Sequence, residues 1–208
     1  MNFLTGFTSG LLLITLSELG DKTFFIGAIL AMRHPRRWVF LGVTAALATM
    51  TLLSVWIGQL ASFFPQRYVQ GIAIALFIGF GLKLLYDASR MSGQETLEGE
   101  QAEALEVVKQ GEQSIAVWSV RSILVEAFSL TFIAEWGDRT QIATITLASS
   151  HSAAGVLVGA ILGHGICAAI AVVCGKLIAG RISERLITAL GGVLFIGFGL
   201  LAAIEGAG

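Results

Sequence analysis

The sequence predicts an all-α membrane protein: six transmembrane helices arranged as two inverted three-helix repeats, with spans 1 and 4 long and broken or kinked at glycines. Three observations carry this. Of 208 residues 55% are apolar and only 13% charged, with a mean hydropathy of +0.82, whereas soluble domains carry about 25% charged residues. Six apolar stretches each reach or exceed the roughly 20 residues that a helix needs to cross a bilayer. A charged hexapeptide occurs twice, inside two of those stretches. The composition excludes a water-soluble domain, and the apolar fraction excludes a disordered chain. A net charge of -1 and a pI of about 6.3 leave no basic footprint, so no nucleic-acid partner is expected. The partner that composition implies is the lipid bilayer.

The candidate spans are residues 3–32, 39–62, 69–88, 122–150, 153–178 and 184–205, with Pro35 and Pro65 between them. No basic segment precedes the first apolar run, which continues far past a signal peptide's length, so the first residue is expected to be retained. A continuous helix over residues 3–32 would be roughly 45 Å long at about 1.5 Å per residue, against a hydrocarbon core of about 30 Å. Steep tilt or a break must absorb the excess. Three units follow: a first repeat at 1–90, an acidic cytoplasmic linker at 91–121, and a second repeat at 122–208.

Lys and Arg in the loops set the orientation, because positive residues stay on the cytoplasmic side. Arg33, Arg36, Arg37, Arg90, Lys109, Arg121, Lys176, Arg181 and Arg185 share one face, and only Arg67 lies on the other. Both termini are therefore expected outside the cytoplasm. Trp38 and Trp118 fall at span ends, where amphipathic rings are favoured, and Lys83 can snorkel toward the same side.

Glu18-Leu19-Gly20-Asp21-Lys22-Thr23 recurs 117 positions later as Glu135-Trp136-Gly137-Asp138-Arg139-Thr140. Gly42 and Gly58 recur at Gly159 and Gly175 with the same offset, and Leu76 to Leu82 recurs letter for letter at Leu194 to Leu200. Three spans per half, an odd number, send the second half into the membrane in the opposite sense, as in secondary transporters with a midplane site. The glycine-rich heptapeptide reads as close helix packing. The charged hexapeptide has no such use in lipid.

Glu18, Asp21, Glu135 and Asp138 lie deep inside the two longest apolar stretches. Each ionisable group at the bilayer centre costs about 2.5–3.5 kcal/mol on insertion scales. Mutual ion pairing is the plain explanation, yet desolvation makes buried pairs a poor source of stability. Glu18 and Asp21 stand three apart, neighbours on one helix face, as do Glu135 and Asp138. A break at Gly20 or Gly137 would free backbone carbonyls beside them, and carbonyls with carboxylates are ligands for a hard cation. Ser17, Thr23, Thr140 and Gln141 could add neutral oxygens. Four ionised carboxylates with Lys22 and Arg139 sum to -2, which one divalent cation neutralises. Carboxylates crowded out of water take up protons when no cation is present. One site that binds either metal or protons meets the minimum requirement for antiport. Oxygen ligands favour Ca²⁺, Mg²⁺ or Mn²⁺ over Zn²⁺ or copper. His164 reads as a packing residue, or else as a proton carrier or extra ligand; Cys167 and Cys174 read as small packing residues.

The twin E-x-G-D-[KR]-[ST] motif, one per half, resembles the cation/proton exchanger family that includes Golgi and chloroplast manganese and calcium transporters and bacterial manganese exporters. The resemblance covers nearly the whole chain. It implies movement of Mn²⁺ first, or Ca²⁺, out of the cytosol against protons, with Glu18, Asp21, Glu135 and Asp138 as the metal and proton site. Cation and protons are then substrates, and no cofactor is expected. The short chain looks like a bacterial or cyanobacterial member, in an inner, plasma or thylakoid membrane.

Residues 92–114 hold Glu95, Glu98, Glu100, Glu103, Glu106 and Glu112 against Lys109. Such a run reads as a solvated linker or short exposed helix, or else as a collector of cations at an entrance. Glu126, about half a turn off the face of Glu135, is not placed at the same site and is assigned to the cytoplasmic approach. The alternative function is a divalent-cation channel or uniporter, since acidic rings also select cations. Asp21 and Asp138 could also imitate an intramembrane aspartyl protease. Each aspartate, however, carries an adjacent base and a partner glutamate that such catalysis does not need, so no enzyme is expected.

Overall fold

A computed structural model describes residues 2–91, 98–112, 119–179 and 183–206. Among the described residues the chain is all helix and turn, with no β-strand. The helices are α1 (Phe3–Glu18), α2 (Lys22–Arg33), α3 (Arg36–Ala61), α4 (Gln66–Arg90), α5 (Glu98–Glu112), α6 (Val120–Ala134), α7 (Arg139–Ser150), α8 (Ala153–Ala179) and α9 (Glu184–Gly206). Trp118, Arg181 and Glu95, named above, lie outside the described residues.

Length and apolarity qualify four helices to cross a membrane: α3, α4, α8 and α9. The pair α1 and α2, bent by 67°, counts as a fifth span if it crosses as one. The stretch 122–150 is divided into α6, of 15 residues, and α7, of 12, each too short to cross alone. Helix length alone thus yields four or five spans where hydropathy read six. The cause is the charged hexapeptide, which interrupts its helix in both halves. Gly20 and Gly137 adopt φ of 84° and 82°, a left-handed conformation that costs any L side chain roughly 1–2 kcal/mol.

The secondary structure repeats with the sequence. Shifting the bounds of α2 by 117 residues gives those of α7, and the start of α3 becomes that of α8. Packing repeats too, with the halves exchanged: α1 lies on α8 and α6 on α3, while α4 lies on α9. A Cβ on Gly42 would stand 2.9 Å from the Leu124 carbonyl oxygen, and one on Gly159 would collide with that of Phe7, the same contact offset by 117. Gly155 and Gly159 form a small-xxx-small stripe facing α1, which lets the two backbones approach closely. In the repeated heptapeptide, Gly81 packs against Ile196 and Gly199 against Ile78, whereas Gly79 and Gly197 face open space. Its reading as a packing device holds at the contacting glycines.

Gly159→Val is expected to destabilise the protein by at least the roughly 1–3 kcal/mol of an overpacked core, because the obstacle is backbone. Gly79→Val should be tolerated. Thermal unfolding in detergent checks both; an unshifted Gly159→Val would refute the close α1–α8 contact.

Helix α5 departs from the solvated linker or exposed helix read from its charge. Ala104 and Val108 are fully buried in a cluster with Phe25, Ile29, Leu30 and Ile123, while Glu103 and Glu106 remain exposed. Its apolar residues recur at helical spacing and cover α2 and one side of α6. The glutamates mask an amphipathic helix whose apolar stripe is only a few small residues wide.

Candidate functional site

The charged breaks bring the site together. Glu18 is the last residue of α1 and Asp21 the N-cap of α2; Glu135 closes α6 and Asp138 caps α7. In each half the aspartate N–H donates to the glutamate carbonyl, at 3.2 Å. Proximity therefore comes from a glycine turn, not from two positions on one continuous helix as spacing suggested. The N-termini of two half-helices, positive ends of their dipoles, begin at the site.

Glu18 and Glu135 are 2% and 3% exposed, and Asp21 is half-buried. One carboxylate oxygen from each of these three lies within 4.8 Å of the others. Metal–oxygen distances of about 2.3–2.6 Å place ligands on opposite sides of a Ca²⁺-sized cation about 5 Å apart, so the spacing suits one shared ion. Glu18 Oε1 and Glu135 Oε1 have no hydrogen-bond partner among the described residues. Such buried acceptors are expensive to leave unpaired.

Asp138 is occupied differently. Its Oδ2 accepts from the Thr140 amide at 3.0 Å and hydroxyl at 2.8 Å, and its Oδ1 accepts from the Gln141 amide at 2.7 Å. It stands outside the three-oxygen set. Asp21 makes no such cap and instead accepts from Arg139 Nη2 at 3.2 Å, a contact that joins the two halves. The difference follows from sequence: Gln141, whose side-chain oxygen accepts from the Gly137 amide at 2.7 Å, braces the second turn, and the equivalent Phe24 cannot.

The supporting residues divide. Thr23 donates to Glu18 Oε2 at 3.4 Å, and Thr140 serves Asp138. Ser17 is buried with its hydroxyl unpartnered among the described residues. Lys22 pairs with Glu103 of α5 at 3.3 Å, so its charge is turned to that helix. The pair is solvent-exposed and worth at most about 1 kcal/mol. Glu126 is buried within α6, and the Cys167 thiol donates to the Thr15 carbonyl at 3.5 Å as a packing residue.

Beside the carboxylates lies a cavity of about 10 Å³, room for one water-sized sphere. Glu135, Asp138, Thr144, Thr51, Ser54 and His164 border it. Thr51 and Ser54 of α3 belong to neither charged motif, yet two hydroxyl residues three apart in an apolar span are a signal legible in the sequence.

A family model described as divalent cation/proton antiporter GDT1 matches residues 6–92 and 123–208. GDT1-like protein sll0615 of Synechocystis sp. is 56% identical over 203 residues, covering 96% of this chain and 97% of the relative. GDT1-like protein 3 of Oryza sativa subsp. indica is 43% identical over 91% of this chain and 70% of its own length. The chloroplastic PAM71-homolog protein of Arabidopsis thaliana is 42% identical over 93% of this chain and 58% of its own. No solved structure matches the chain. Matched on both sides of α5, with one charged break in each matched segment, this multi-pass membrane protein belongs to the GDT1 family of divalent cation/proton antiporters.

Proposed function

We propose that the protein exports divalent cations, Mn²⁺ first and Ca²⁺ second, from the cytosol in exchange for protons at Glu18, Asp21, Glu135 and Asp138. The observation that carries this reading is the convergence of oxygens from Glu18, Asp21 and Glu135, drawn from both halves, within 4.8 Å. With Arg139 on Asp21, three ionised carboxylates and one guanidinium sum to -2, the charge that a divalent cation cancels. That sum equals the one read from sequence, through a different membership: Lys22 faces α5 and Asp138 caps its helix. The oxygen set suits either cation, and the order, Mn²⁺ before Ca²⁺, is supported only by the resemblance of the twin motif to a family that includes bacterial manganese exporters.

The exchanged contacts Gly42–Leu124 and Gly159–Phe7 support two related halves, read here as inverted three-span repeats that include α6 with α7 as a bent span. Alternation is a rocking of one half against the other about the site. The nine-to-one loop charge supports an orientation with both termini outside the cytoplasm. Labelling of single cysteines from outside should reach position 152 and miss position 100; the reverse pattern would overturn the orientation.

Flux in proteoliposomes tests the function. Mn²⁺ and Ca²⁺ uptake should follow an imposed pH gradient with the potential clamped. Uptake that ignores the gradient and follows the potential would mean a channel or uniporter, and the exchange reading would be withdrawn.

A further inference from the structure

His164 is 5% exposed in α8, and its Nδ1 has no hydrogen-bond partner among the described residues. It borders the small cavity that also meets Glu135 and Asp138. The polar groups of that cavity are almost all acceptors. Thr51, Ser54 and Thr144 each donate their hydroxyl proton to the carbonyl four residues back, at 2.8 Å, so lone pairs are what they have left to offer. Gln141 Nε2 donates to Met50 Sδ at 3.1 Å. Glu135 Oε1 is unpartnered. A small space bordered by hydroxyl and carboxylate lone pairs, with most of the neighbouring donors engaged elsewhere, can accept a cation.

The repeat shows that this chemistry is particular to one side. With the 117-residue offset, Thr51, Ser54, Gln141 and Thr144 correspond to Ala168, Ala171, Phe24 and Gly27. The equivalent position beside Glu18 and Asp21 thus has none of these oxygens. His164 itself corresponds to Leu47, and both border the cavity. A leucine satisfies the packing at this place in one half, so packing does not explain an imidazole in the other.

We propose that His164 ligates the transported cation through Nδ1 at a second position, beside Glu135 and the α3 and α7 hydroxyls, and that this nitrogen makes the protein favour Mn²⁺ over Ca²⁺. The inference rests on the transport reading above. Its physical basis is a difference in tolerance for nitrogen: Ca²⁺ takes oxygen ligands throughout, whereas Mn²⁺, although it stands at the weak, oxygen-preferring end of the first-row series, is a transition metal that gains from a nitrogen ligand in a mixed N/O site. With the ring proton on Nε2, Nδ1 presents its lone pair.

The test is binding of Mn²⁺ alone to the purified full chain, read by pulsed electron paramagnetic resonance, with flux measured in parallel. Bound Mn²⁺ should show nitrogen hyperfine coupling that disappears in His164→Gln and His164→Leu. The two variants should also lower the Mn²⁺ to Ca²⁺ flux ratio by at least roughly tenfold, the order expected for a tuned metal contact, while Ca²⁺ flux persists. His164→Leu reproduces the residue at the related position, so it tests ligation with packing kept. Wild-type protein that binds Mn²⁺ without nitrogen coupling, or coupling that survives both substitutions, would overturn the proposal. Absence of any proton-coupled flux in wild type would overturn the transport reading instead, and the spectrum would still decide the role of His164.

Discussion

Glu18→Gln and Glu135→Gln, each made singly, should abolish divalent cation transport. Each substitution keeps shape and removes a charge from the three-oxygen set. Removing one partner from a buried ionic cluster costs about 3–5 kcal/mol, or about two to three and a half orders of magnitude in affinity at 1.4 kcal/mol per decade. Cation binding by calorimetry and flux in proteoliposomes should fall together. Asp21→Asn should behave likewise and should also leave Arg139 without its partner across the two halves. Asp138→Asn is the informative fourth. Asparagine caps helices about as well as aspartate, so α7 should survive, and loss of transport with normal stability would assign Asp138 to the cation. Ordinary flux in any two of the four variants would defeat the shared site. Lys22→Ala should be mild, since its ammonium meets Glu103 and not the cluster.

Cation affinity should fall steeply as pH is lowered. Protons and metal compete for the same oxygens, and metal binding releases protons. The sign follows: the lower the pH, the larger the protonated fraction and the weaker the apparent binding. If two protons leave per divalent ion, as a site of -2 requires for neutral exchange, apparent affinity drops about a hundredfold per pH unit wherever both are bound. The loaded forms then carry equal charge, and transport should not respond to membrane potential. Mn²⁺ binding across a pH series, with release of protons measured in weak buffer, checks this. Affinity that is flat with pH would separate the metal site from the proton site.

The sequence by itself determined the helical membrane class, the duplication and the presence of four acidic residues inside apolar stretches, because each is read directly from the order of residues. Apolar runs declare helices that bury their backbone polar groups in lipid, and a carboxylate inside such a run is too costly to be incidental. The glycine breaks were also legible, from excess length and from glycine within the charged hexapeptide. Other features were decided only by tertiary structure. Glu18, Asp21 and Glu135 each bring one carboxylate oxygen within 4.8 Å of the others, while Asp138 turns to cap α7. Spacing is identical in the two motifs, and the difference arises from Gln141 standing where the other half has Phe24. Helix α5 reads as a charged linker, yet Ala104 and Val108 find an apolar surface on α2 and α6. Lys22 reads as compensating the adjacent carboxylates and is claimed by Glu103, 81 residues away. His164 borders a cavity with α3 and α7 residues that no spacing connects to it. Periodicity reports which face of a helix is apolar; which helix covers that face, and which polar groups are left facing one another, depends on packing between segments far apart in the chain.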